Sequence, residues 1–166
     1  IEEYLCGESL YARIERTGSL QTGELIRLGI ELCRIMNYLH SFKPNPILYL
    51  DLHPGNLLIC REQLKLIDFD QAALASLSQE RSVCYGTKGF AAPEQYEGGT
   101  LDERTDIYAI GALLYYMGTG HAPEGEIKAG QGSCRGDLYI LMGRCLRTEK
   151  KERCQSVREV LEALEK

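Results

Sequence analysis

No two cysteines in this chain are spaced as C-x-x-C, no basic run stands out, and no apolar stretch reaches the length of a membrane span. Each absence excludes something. Seven cysteines at scattered positions read as free thiols of a reducing cytosol rather than a disulfide framework or a zinc site, so a cytoplasmic location is expected. A net charge of -5 without a basic run leaves neither nucleic acid nor an anionic membrane surface as an expected partner. No signal peptide is visible, and no membrane segment is expected in this stretch. Position 1 holds Ile1 and not methionine, which reads as a piece of a longer parent chain whose other parts are open to carrying an anchor. The 166 residues suffice for one domain with its own core, taken as residues 1–166.

What is present is concentrated between Tyr49 and Asp70. Two short apolar runs, Leu57 to Ile59 and Leu64 to Ile67, flank the turn Cys60-Arg61-Glu62-Gln63 and read as a hairpin. Asp51 and Asn56 lie in the loop entering it, and Asp68 lies where its second strand ends. Three oxygen-bearing side chains therefore converge at one end of a small sheet. Phosphoryl transfer asks a protein mainly to position the partners and neutralise charge. Mg2+ takes hard oxygen ligands, usually one or two carboxylates completed by water and phosphate oxygens. Asn56 and Asp68 suit that demand and leave Asp51 to orient an acceptor hydroxyl and take its proton. Singly, such residues are ordinary turn formers. As an ordered set they follow catalytic-loop and metal-loop signatures almost position by position.

With these residues the chain resembles the large, carboxy-terminal lobe of a eukaryotic-like serine/threonine protein kinase over essentially its whole length. Tyr49-Leu50-Asp51 matches the family's H-R-D, Asn56 its catalytic-loop Asn, Asp68-Phe69-Asp70 its D-F-G and Ala92-Pro93-Glu94 its A-P-E. The resemblance implies a mainly α fold with small β-hairpins, ATP and Mg2+ as cofactors, and protein serine or threonine as the acceptor. It implies that Asn56 and Asp68 hold the metal, that His53 contacts the transferring phosphate, and that Leu58 packs against adenine. Residues 1–7 become a remnant of the interlobe hinge, with Glu3 and Leu5 pairing with adenine through their backbone. Residues 68–94 become the activation segment, in which Thr87 bonds toward Asp51. Asp106 is expected to reach the backbone around Tyr49 and Leu50, and Arg153 to pair with Glu94. The family's glycine-rich phosphate loop, strand lysine and helix glutamate have no counterpart, so the amino-terminal lobe is absent from this sequence. The lobe alone is expected to be inactive, with an exposed lobe interface that favours a dimer or a partner.

Four positions depart from the family. Leu50 replaces the arginine that pairs with a phosphorylated activation segment, so phosphorylation of Ser76, Ser78 or Ser82 is not expected to be the main switch. Tyr49 replaces a histidine and can pack beneath the metal loop as that residue does. His53 takes the place of a lysine, and Asp-Leu-His-Pro-Gly-Asn also resembles the loop of aminoglycoside and choline phosphotransferases. Asp70 replaces a flexible glycine. Two alternatives follow: a small-molecule phosphotransferase of this fold, and a pseudokinase acting as a binding module.

The rest of the chain reads as helices. Ser9 to Arg16 forms a short one ending near Gly18. Thr22 caps a long amphipathic one carrying Leu25, Leu28, Leu32, Ile35, Met36 and Leu39, which ends around Ser41 to Pro44 with a structural His40. Residues 105–118 are apolar nearly all round and should form a buried central helix, capped by Thr105 or Asp106 and ended by Gly118 or Gly120. His121 to Cys134 has a poor helical pattern, and two further helices follow it, the last over Val157 to Leu164.

Overall fold

The protein is described here by a computed structural model covering residues 7–78, 86–125, 127 and 136–166. Strand β1 (Glu8–Ser9) leads into helix α1 (Leu10–Thr17), whose amino end is capped by the Ser9 hydroxyl accepting from the Ala12 amide at 3.1 Å. Gly18 ends α1 with φ 77, the left-handed region that favours glycine. Helix α2 (Thr22–His40) follows, with Gln21 at the cap position and no capping side chain. Thr22 is thus in the first turn, one residue inside its expected place. Leu25, Leu28, Leu32, Met36 and Leu39 of α2 are buried, as their spacing demands, and Ile35 is half-buried.

Strands β2 (Ile47–Leu48), β3 (Leu57–Cys60), β4 (Gln63–Leu66) and β5 (Ala73–Leu74) form two small antiparallel sheets, ordered β1-β3-β4 and β2-β5. The expected hairpin is β3-β4, but its turn is tighter than the sequence implied. Cys60 pairs with Gln63, leaving only Arg61 and Glu62, both at positive φ (50 and 66), in the two-residue geometry that matches strand twist. Neither residue is a usual former of that turn. Arg27 of α2 holds it from outside, donating to the Glu62 carbonyl oxygen at 2.5 Å.

Short helices α3 (Ala75–Ser78) and α4 (Pro93–Glu97) precede the central helix α5 (Glu103–Thr119), buried along nearly its whole length. Its cap is Asp102, not Thr105 or Asp106: the Asp102 carboxylate accepts from the Arg104 amide at 2.9 Å, and the Thr105 hydroxyl accepts from the Asp102 amide at 3.3 Å. The helix therefore begins two residues earlier than its apolar run, because capping is done by polar residues ahead of that run. Gly120, at φ 79, ends it. Helices α6 (Gly136–Cys145) and α7 (Val157–Leu164) pack with α2 and α5 into one continuous core. Residues 121–125 are non-helical as expected, while most of the stretch to Cys134 lies outside the described residues. Among the described residues, no helix is long and apolar enough to cross a membrane.

Candidate active site

The loop from Tyr49 to Asn56 is shaped by a buried carboxylate beneath it. Asp106, in the first turn of α5, accepts the Tyr49 amide at 2.9 Å on one oxygen and the Leu50 amide at 2.9 Å on the other. His40, at the end of α2, places Nε2 2.8 Å from the oxygen that serves Tyr49. Leu50 takes φ 68, which costs a non-glycine residue energy and is found where surrounding structure holds it in place. The holding groups are Asp106 at its amide and Gln95, whose Nε2 donates to the Leu50 carbonyl at 2.8 Å. The Leu50 side chain is buried in a small cluster with Leu48 and Leu101, against Ala73 and Ala75.

This turn presents Asp51. One of its oxygens accepts from the Thr87 hydroxyl at 3.0 Å. Its other oxygen lies 3.7 Å from His53 Nε2 and 3.5 Å from Asn56 Nδ2, and Asn56 also donates to the Asp51 carbonyl at 3.1 Å. These bonds fix the Asn56 amide with its nitrogen toward Asp51, which leaves Oδ1 as its hard oxygen. His53 Nδ1 accepts from the Gly55 amide at 3.2 Å, so in the neutral ring the proton sits on Nε2, the nitrogen facing Asp51.

Tyr49 links this loop to the Asp68–Asp70 segment. Its hydroxyl donates toward the Ile67 and Asp68 carbonyls, the latter at 2.8 Å, and its ring meets Phe69 edge to face at 5.2 Å. Burial, reinforced by the charge of Asp51, pushes the Tyr49 hydroxyl well above its ordinary pKa and keeps it a donor. Asp68 stands at φ 61, with one carboxylate oxygen accepting the Asp70 amide at 3.2 Å. The Ile67 amide bonds to the Asn56 carbonyl at 3.0 Å, which brings Asn56, just before β3, beside Asp68, just after β4. Among the described residues, no three His, Cys, Asp or Glu side chains converge as a metal cage. One carboxylate plus one carboxamide is the sparser donor set that fits Mg2+ sharing its shell with phosphate oxygens.

Of the residues singled out from sequence, Asp51, His53, Asn56 and Thr87 are thus gathered around one carboxylate, with Asp68 joined to them through Tyr49. Leu58 lies half-buried on β3 opposite Lys65. Glu3 and Leu5 lie outside the described residues. Sequence reasoning missed Gln95 and the partner of His40. Gln95 carried a legible signal, standing three residues after Ala92, from where its Oε1 accepts the Ala92 amide at 3.0 Å as a helix-start glutamine does. The His40 contact carried none, since 66 residues separate it from Asp106.

The far end of the segment leading from Thr87 is anchored by Arg153. Its guanidinium, fully buried, binds Glu94 through two bonds of 2.7 and 2.8 Å. It also donates to the carbonyls of Arg104, Arg147 and Thr148 and lies 5.0 Å from the centre of the Tyr108 ring. All five donors of the fork are used.

The protein kinase domain family matches residues 1–164. This chain belongs to the protein kinase family. The kinase chain is 32% identical over 128 residues to integrin-linked protein kinase 1 of Arabidopsis thaliana, covering 72% of this chain and 27% of that protein. It is 25% identical over 187 residues to a probable serine/threonine-protein kinase of Clostridium acetobutylicum, covering 99% of this chain and 28% of that protein. With serine/threonine-protein kinase A of Synechocystis sp. it shares 30% identity over 135 residues, 74% of this chain and 26% of that protein. The kinase chain thus spans little more than a quarter of the length of these relatives.

Proposed function

We propose that the whole protein transfers the γ-phosphate of ATP to serine or threonine hydroxyls of protein substrates, and that Asp51 orients the acceptor. The observation that carries this reading is the constraint on Asp51, one of whose oxygens accepts from the Thr87 hydroxyl and the other from Asn56 Nδ2. A carboxylate fixed in this way is poised to accept a hydroxyl proton as the oxygen attacks phosphorus. Bound with ATP, Mg2+ supplies charge neutralisation of the phosphates. Asn56 Oδ1 and the Asp68 carboxylate hold it, and Leu58 packs against adenine. His53 Nε2–H donates to oxygens of the transferring phosphoryl group in place of a lysine. Thr87, besides fixing the Asp51 rotamer, lies where a serine or threonine acceptor approaches.

The 166-residue chain by itself is proposed to turn over little, because rate enhancement by positioning needs both surfaces of the nucleotide cleft. Half-exposure of Phe69, beside the metal loop, supports a missing cover there. The test is transfer from γ-labelled ATP with Mg2+ by the longest natural form of the protein, beside its Asp51→Asn variant, followed by phosphoamino-acid analysis. Label on serine or threonine that disappears in the variant is the expected result. Label only on a small acceptor would replace the reading with a small-molecule phosphotransferase, and no transfer by folded protein would make it a binding module.

A further inference from the structure

The loop that cradles Arg153 is bounded by two cysteines, and the fold brings them together. Cys145 ends α6 and Cys154 precedes α7, and their sulfurs lie 3.9 Å apart with both residues fully buried. Close approach at this point is permitted by Gly111 of α5, where a Cβ would meet the Cys145 Cβ at 2.4 Å. Cys33 of α2 is also buried, but the sulfur-to-sulfur hydrogen bond joins Cys145 to Cys154. Between the two cysteines lie Arg147 and Thr148, whose carbonyls accept from the Arg153 guanidinium at 2.7 and 2.9 Å. Arg153 in turn adjoins Cys154 in the chain and holds Glu94.

We infer that Cys145 and Cys154 form a reversible disulfide under peroxide, a modification site that closes the Arg153 cradle covalently. A disulfide needs the sulfurs at roughly 2.05 Å, a closure within reach of small side-chain rotations from contact distance. The two thiols are chemically unequal. Cys145 donates its S–H to Cys154, which holds the Cys145 proton in place and, with Arg144 nearby, lowers the Cys154 thiol below its ordinary pKa. Burial instead pushes Cys33 up to about 12, so it stays protonated and unreactive.

Cys154 thiolate is therefore the attacking group. It takes one oxygen of hydrogen peroxide; the O–O bond breaks, hydroxide leaves, and the sulfur becomes a sulfenic acid. The Cys145 sulfur then attacks that sulfenic sulfur, the S–S bond forms, and the S–O bond breaks. Hydroxyl leaves as water with the proton of Cys145. Two thiols and one peroxide give one disulfide and two waters once the first hydroxide is protonated.

The test uses the native chain treated with hydrogen peroxide, alkylated under denaturing conditions and digested with trypsin. The expected product joins the peptide of residues 145–147 to that of residues 154–158 with the loss of two hydrogens, disappears on dithiothreitol treatment, and leaves Cys33 open to alkylation. The oxidised chain is also expected to melt at a higher temperature, reversibly, since a covalent tie across the loop restricts the unfolded chain. Both cysteines still open to alkylation after peroxide, or Cys33 found as the partner of either, would overturn the proposal. So would formation of the bond only in urea, which would show that the folded contact plays no part.

Discussion

At Arg153 a fully buried guanidinium meets Glu94 through two bonds, and stability is expected to depend on that pairing. Removing one partner of such a pair leaves a buried charge uncompensated, so Arg153→Ala should cost about 3 to 5 kcal/mol in urea unfolding. An unfolding midpoint close to that of the parent would refute this. Asp51→Asn tests the other role a single side chain takes here. It keeps shape and most hydrogen bonds but loses proton affinity, so transfer by the whole protein should fall by about 10² to 10⁴-fold with little change in melting temperature. Asp51, Asn56, Asp68 and Arg153 were legible because short motifs fix their identity and order. The bond from Gln95 to the Leu50 carbonyl and the His40–Asp106 contact were not, because those partners are chosen by how α2, α4 and α5 pack together.

Between elements, two features carry predictions. Asp102 caps α5 and receives both Arg104 and Lys150 at 2.8 and 2.9 Å. Burial opposes its ionisation, but hydrogen bonds from Arg104 and Lys150 outweigh that and hold its carboxyl at about 2. The folded pKa lies below the unfolded one, so the stabilisation is complete above about pH 4 and is lost as the pH falls toward about 2. Asp102→Asn should therefore lower stability by roughly 2 kcal/mol at neutral pH, a gap that narrows below about pH 4 in parallel unfolding titrations of both proteins. The second feature is Leu50, which ties the loop of Asp51 to the segment after Asp68 by apolar contact with Ala73 and Ala75. No cation stands at position 50 to reward a phosphate, so alanine at Ser76, Ser78 and Ser82 together should leave transfer by the whole protein unchanged. A large fall would show that phosphorylation is the switch after all. Ser82 lies outside the described residues.

For the whole molecule, α2, α5, α6 and α7 supply one core, and the site sits where β3 and β4 meet the loop fixed by Asp106. The chain spans little more than a quarter of the length of the relatives it matches, and its proposed activity belongs to the whole protein. Measured alone, the folded chain is expected to transfer no detectable phosphate, whereas the longest natural form transfers it. Equal rates per molecule from both would show that the cleft is already complete. The folded chain is also expected to associate more strongly than the longer form in sedimentation, through exposed apolar groups such as Phe69 and Leu77.

Local sequence by itself determined helices α1, α2, α5, α6 and α7 with their apolar faces, the β3-β4 hairpin and the order of Asp51, Asn56, Asp68 and Glu94. Those follow from periodicity and from motifs a few residues long, which need no distant partner to be recognised. Tertiary structure alone decided which groups hold Leu50 at positive φ, that His40 reaches Asp106, and that Cys145 faces Cys154 across the Arg153 loop. Each of those depends on a bond or contact between side chains and backbone brought together from separate elements. Such pairings are set by packing geometry, for which spacing along the chain is no guide.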